Sequence, residues 1–92
     1  MRIAKIIGKV TCNRMLDSFR GATLRVAVPV TLKELKKKTM PASEELVLWD
    51  EYGAGYGDYV ALSEGGEAAQ PFLPERKPVD AYNAALLDDI EL

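Results

Sequence analysis

Residues 50–60 read Asp50-Glu51-Tyr52-Gly53-Ala54-Gly55-Tyr56-Gly57-Asp58-Tyr59-Val60, with glycine at three alternate positions. An apolar run, Leu46 to Trp49, precedes the stretch, and a second one, Tyr59 to Ser63, follows it. Glycine is the favoured residue where the backbone needs a positive φ or must approach another chain closely. A tight hairpin needs one or two such positions, so three call for a second reason. The expectation is a tight turn between two strands that also forms a packing surface against a neighbouring subunit.

A phosphate-binding role for this turn fails on spacing. A dinucleotide fingerprint runs Gly-x-Gly-x-x-Gly from a strand into a helix. Here the pattern is Gly-x-Gly-x-Gly, the following residues alternate as a strand does, and no Walker lysine follows.

Outward from the turn, Leu46 to Trp49 and Tyr59 to Ser63 are read as strands, the second with Val60 and Leu62 inward. Residues 2–12 form the first strand, with Ala4, Ile6, Gly8 and Val10 on one face and Ile3, Lys5, Ile7 and Lys9 on the other. Gly8 inside it suggests a bend or a close backbone approach. Thr23 to Val30 alternates Leu24, Val26, Val28 and Val30 with Arg25, Ala27 and Pro29, and the aliphatic set is expected to face the core. Pro29 has no N–H to donate and marks an edge, a bulge or a strand end.

The intervening segments are turns. Asn13 to Gly21 is a polar connection that Met15, Leu16 and Phe19 fold back onto the body. Thr31-Leu32-Lys33-Glu34 fits a capping box opening a short amphipathic turn. Lys36, Lys37 and Lys38 read as a solvated basic run before Pro41. Residues 66–70 suit one helical turn, and Pro71, Pro74 and Pro78 hold an extended connection. In the tail, Ala81, Ala84, Ala85, Leu86 and Leu87 have helical propensity, yet strand alternation fits the same residues. Five short β segments with one helical turn suggest a mainly β fold, a small five-stranded Greek-key barrel of the OB type.

Composition narrows the function. Ninety-two residues, 48% hydrophobic and 28% charged, suit one globular domain spanning 1–92. No apolar run reaches bilayer length, and Gly8 and Lys9 interrupt the N-terminal apolar residues, so a cytosolic chain without a membrane partner is expected. The net charge is −2, and the pI near 5.1 argues against nucleic acid. Histidine is absent, which removes the commonest general base and metal ligand. Cys12 stands alone, so no disulfide within the chain can form, and the basic neighbours Lys9 and Arg14 have no histidine to help activate it. Asp50, Glu51, Asp58, Asp88 and Asp89 match no cation-loop spacing. The expectation is no enzyme, no catalytic residue, no cofactor and no metal.

Trp49, Tyr52, Tyr56, Tyr59 and Tyr82 could stack on bases, and a single-stranded nucleic-acid-binding OB module is the alternative reading. Acidic residues lie among these aromatics, and Tyr and Trp are also enriched at protein interfaces, which favours the interface.

With these residues in hand, the chain resembles the bacterial microcompartment vertex family, pentameric shell proteins of the carboxysome and ethanolamine-utilisation type. Residues 49–60 are similar to that family's Asp-x-x-Gly-Ala-Gly-x-Gly-acid-x-Val signature. Gly8-Lys9-Val10-Thr11, then Leu16, Gly21, Leu24 and the valine strand to Pro29, open the match. Gly65-Gly66-Glu67-Ala68-Ala69 sits at a family turn, and Pro78-Val79-Asp80-Ala81 through Leu87-Asp88 resembles the closing stretch. The turn at Glu67 to Gln70 lacks the arginine often found there, and the loop from Thr31 to Ser43 looks particular to this branch.

The resemblance implies an OB-like barrel in a five-fold ring that closes shell corners within the cytoplasm, beside hexameric shell tiles. It also implies that Val79 to Ile90 is largely extended, against local helix propensity. Gly53, Ala54, Gly55 and Gly57 are expected at the subunit contact or axial turn, with Tyr52, Tyr56 and Tyr59 as interface aromatics.

Overall fold

In the computed structural model, the described residues are 1–11, 23–73, 80–88 and 90. Five strands, β1 (Arg2–Val10), β2 (Leu24–Val30), β3 (Leu46–Trp49), β4 (Tyr59–Glu64) and β5 (Ala81–Leu87), close into a barrel ordered β1-β2-β3-β5-β4. One helix, α1 (Leu32–Lys37), and a 3₁₀ segment, Gly65–Phe72, complete the fold. The mainly β, five-stranded barrel read from the sequence is the observed architecture. No helix among the described residues is long and apolar enough to cross a membrane.

The closed order corrects one expectation at once. β3 and β4 are not neighbours, because β5 lies between them, pairing with β3 in parallel and with β4 antiparallel. The glycine stretch is therefore not a hairpin. It runs from the end of β3 to the start of β4, past β5. A pair of strands flanking a turn-like sequence does not reveal whether they share a ladder, since closure of the barrel sets the strand order.

Inside the barrel lie Ala4, Ile6, Ala27, Leu48, Ala54, Val60, Leu62 and Ala81, with Leu46 packed against them. Ile6, Leu48, Val60 and Leu62 are at most 1% exposed, and burying each such side chain contributes ~1.5–3 kcal/mol. A second cluster, Trp49, Ala68 and Tyr82 with Phe72, packs where the 3₁₀ segment meets the barrel wall. Phe72 is its hub, edge-on to Trp49 with ring centroids 4.7 Å apart and to Tyr82 at 5.5 Å.

The face assignments need two corrections. A register shift between Ile6 and Gly8 places Ile6 opposite Ala27 but Gly8 opposite Val26. Gly8 and Val10 thus leave the face shared by Ala4 and Ile6, as a bulge requires. In β2 the core residue is Ala27, paired across the sheet with Ile6 and Leu46, whereas Leu24, Val26 and Val30 are only half-buried on the outer face. Aliphatic bulk pointed to the wrong side because a narrow barrel accepts alanine inward, while its outer wall is apolar here. Pro29 pairs with Ala4 beyond Ala27, the last β2 residue paired with β3, so one flank of it carries no ladder.

The remaining elements follow local chemistry. Thr31 caps α1 through the expected capping box, in which its hydroxyl accepts from the Glu34 N–H while the Glu34 carboxylate accepts from the Thr31 N–H. Lys38 ends the helix in a left-handed conformation at φ 53°. The helical turn expected at 66–70 extends over Gly65–Phe72 and takes in Pro71. The tail is strand over Ala81–Leu87, as the resemblance implied. Expectations for Cys12, the Asn13–Gly21 connection, Pro74, Pro78, Val79 and Asp89 lie outside the described residues.

Candidate assembly site

Asp50, the first residue after β3, organises the glycine stretch from inside. Its N–H donates to the Thr23 carbonyl at 2.8 Å, and its side chain is fully buried. One carboxylate oxygen accepts from the Tyr52 N–H at 3.0 Å and from Asn83 Nδ2 at 2.8 Å, and the other from the Ala54 N–H at 2.8 Å. Arg25 Nε donates to the Ala54 carbonyl at 2.8 Å and lies 3.8 Å from Asp50 Oδ2. With its accepting positions spent on the turn's own backbone, Asp50 is a brace for the turn and not an exposed acid or base.

The far half of the stretch is braced from β1. Gly57 N–H donates to the Ile6 carbonyl and Ile6 N–H to the Asp58 carbonyl, each at 2.8 Å. Asp58 turns back to accept from the Gly55 N–H at 2.8 Å, and its own N–H donates to the Gly55 carbonyl. Glu51 accepts from the Tyr82 hydroxyl at 3.0 Å. Burial, reinforced by that hydrogen bond to a carboxylate, pushes the Tyr82 hydroxyl up to about 12.

The three glycines now separate. Gly53 at φ 73° and Gly57 at φ 86° sit where a side chain strains the backbone. Gly55 has no such conformation, and a methyl group added there meets only Asp58 Oδ2, at an ordinary 3.7 Å. Neither its own backbone nor crowding within the chain accounts for glycine at 55. Ala54 points the other way: it is fully buried in its own barrel, so its methyl group is not offered to a neighbour.

The aromatics also divide. Tyr56 is 81% exposed and Tyr52 54%, both on the turn. Tyr59 is half-buried, with Lys5 Nζ 5.9 Å from its ring centroid. Trp49 and Tyr82 are buried in the second cluster and present no open face for stacking on a base. Sequence reasoning did not single out Arg25 or Asn83. The available signal was a polar residue inside an otherwise apolar strand, in each case opposite a position facing the core. Among the described residues no group of three His, Cys, Asp or Glu converges.

Comparison with known proteins gives a consistent result. The family described as "Ethanolamine utilisation protein EutN/carboxysome" matches residues 1–88. The carboxysome shell vertex protein CcmL of a Nostoc species is 30% identical over 92 residues, covering 100% of this chain and 87% of that protein. The bacterial microcompartment shell vertex protein GrpN of Rhodospirillum rubrum is 30% identical over 91 residues, covering 99% of this chain and 97% of that protein. The solved structure of GrpN, described as a pentameric microcompartment shell protein, superposes with a TM-score of 0.81 at 29% identity, over 100% of this chain and 99% of that one.

Proposed function

The chain belongs to the ethanolamine utilisation protein EutN/carboxysome family, and on that premise we propose that it is a structural protein, a homopentamer that closes the vertices of a microcompartment shell in the bacterial cytoplasm. The names of its relatives speak for a structural role and against an enzymatic one. A flat sheet of hexagonal tiles cannot close on itself, so five-fold pieces supply the curvature, and the partners are hexameric shell proteins meeting the ring's outer edge.

The observation in this chain that carries the reading is Gly55. It is exposed, conformationally ordinary and uncrowded, so a neighbouring backbone is the remaining reason for a missing side chain. A five-fold ring joins one surface of each copy to a different surface of the next, and glycine lets two chains approach closely. Gly53 and Gly57 shape the turn, and Gly55 meets the neighbour. Native mass spectrometry tests this: the wild type is expected at five times the chain mass and Gly55→Trp as monomer. A Gly55→Trp chain that still runs as a pentamer places the contact elsewhere.

Single-strand nucleic-acid binding is disfavoured by the burial of Trp49 and Tyr82 and by the low pI. A salt-dependent gel shift with single-stranded DNA would revive it.

A further inference from the structure

The largest cleft, about 480 Å³, lies outside the barrel, between its wall and the segment formed by α1 and the loop after it. Its volume falls within the ~300–1,000 Å³ typical of pockets that bury a ligand. Val30, Leu35 and Leu87 give it apolar lining, and Met40, 85% exposed, is a flexible apolar side chain there.

The charges around the cleft are unbalanced. Glu34 lines it, but its carboxylate is engaged by the Thr31 N–H and hydroxyl and by the Ala42 N–H at 2.8 Å. Lys5 and Lys38 also line it, and among the described residues neither has a carboxylate within ion-pair distance, Asp88 included. The cleft therefore offers an apolar cavity with two unpaired cations and suits an aromatic or aliphatic group carried on an acidic segment.

This chain carries such a segment. The stretch from Asp50 to Val60 presents Tyr56, the most exposed aromatic among the described residues, between the exposed acids Glu51 and Asp58. Tyr56 does not line its own cleft. We propose that, in the ring, the cleft of each copy receives the Tyr56 tip of the adjacent copy, with Lys5 and Lys38 facing that copy's Glu51 and Asp58. The inference rests on the pentameric reading and supplies the two unlike surfaces that a head-to-tail contact requires. A buried tyrosine with its hydroxyl near the charged rim is a common anchor at such interfaces.

Two measurements test the docking. In native mass spectrometry over a dilution series, Tyr56→Ala and Lys38→Glu are each expected to raise the concentration at which the ring falls apart by about tenfold or more. Both side chains are exposed, so far-ultraviolet circular dichroism should match the wild type. In a Cys12→Ser background, Tyr56→Cys combined with Met40→Cys and a short bis-maleimide should give a covalent ladder up to the full ring, and neither single cysteine should.

A wild-type pentamer with unchanged dilution behaviour in both variants and no ladder overturns the docking and leaves the ring intact. The same result with loss of co-assembly with hexameric tiles assigns the cleft to a tile instead and also overturns it. A wild type that is monomeric at every concentration removes the ring reading itself.

Discussion

Asn83 Nδ2 donates to Asp50 Oδ1 across 2.8 Å, between two side chains with no solvent access. The contact joins β5, through the barrel interior, to the carboxylate that braces the glycine stretch. Asn83 Oδ1 has no hydrogen-bond partner, so the amide is held from one side only. A polar pair in so small a core contributes by fixing one geometry of the turn, since a buried polar group left unpaired costs more than a paired one stabilises.

Asp50→Ala should destabilise the fold by about 3 kcal/mol or more, because two turn N–H groups and the Asn83 amide lose their acceptor at once. Asn83→Ala should cost less, ~1–3 kcal/mol, since Asp50 keeps both backbone donors. Urea unfolding of the two variants at one protein concentration measures the order, and a larger loss for Asn83→Ala would mean that the brace is not the turn.

Gly53→Ala and Gly57→Ala should each destabilise the chain by ~1–2 kcal/mol, the cost of placing a Cβ in left-handed backbone. Gly55→Ala should leave the fold unchanged within ~0.5 kcal/mol and act on assembly alone. Unfolding of dissociated chains, set beside native mass of the concentrated protein, separates the two effects.

Tyr82 gives the protein an alkaline limit. Its folded value of about 12 exceeds the ordinary 10.0, so the protonated hydroxyl is favoured in the folded state. The resulting stability is complete below pH 10 and is lost as pH rises through 12, where the unfolded chain has already released its proton. A shift of this size corresponds to ~2 kcal/mol at most. Tyr82→Phe should flatten the slope of unfolding free energy in this window, and an equal slope in wild type and variant would contradict the assignment.

At the opposite end of the pH scale, Arg2 donates to Glu64 and holds that carboxyl below its ordinary range. A depressed acid contributes stability above its unfolded value and loses it as pH falls through the folded one. Both side chains are more than a third exposed, so Arg2→Ala should change stability by no more than ~1 kcal/mol, with the difference vanishing in acid or high salt.

Glu34 ties the loop after α1 to the helix start. Its carboxylate accepts from Thr31 and, eight residues on, from the Ala42 N–H. Glu34→Ala should therefore raise amide exchange from Lys38 to Ala42 as well as at the helix start, whereas Thr31→Ala should cost about 1 kcal/mol and act at the helix alone.

Legibility varied with the range of the interaction that decides each element. The capping box at Thr31 and Glu34, the bulge at Gly8 and the strand spans 46–49 and 59–64 were readable because nearest neighbours decide them. The resemblance gave the strand at 81–87 against helix propensity, because parallel pairing with β3 and antiparallel pairing with β4 outweigh the preference of alanine and leucine. The site was half legible. Gly55 and the exposed tyrosines lay in the quoted stretch, whereas Arg25 and Asn83 sit 25 or more residues away from it along the chain.

By itself the sequence determined that this is a small β protein built around a glycine-rich connection, because strand period, caps and glycine spacing are written in adjacent residues. Only the tertiary structure decided that β5 separates the strands flanking that connection, that Ala27 and not its valine neighbours faces the core, and that Asp50 points inward onto Asn83. Each depends on closing the sheet into a barrel, which fixes inside and outside through contacts between residues far apart in the chain.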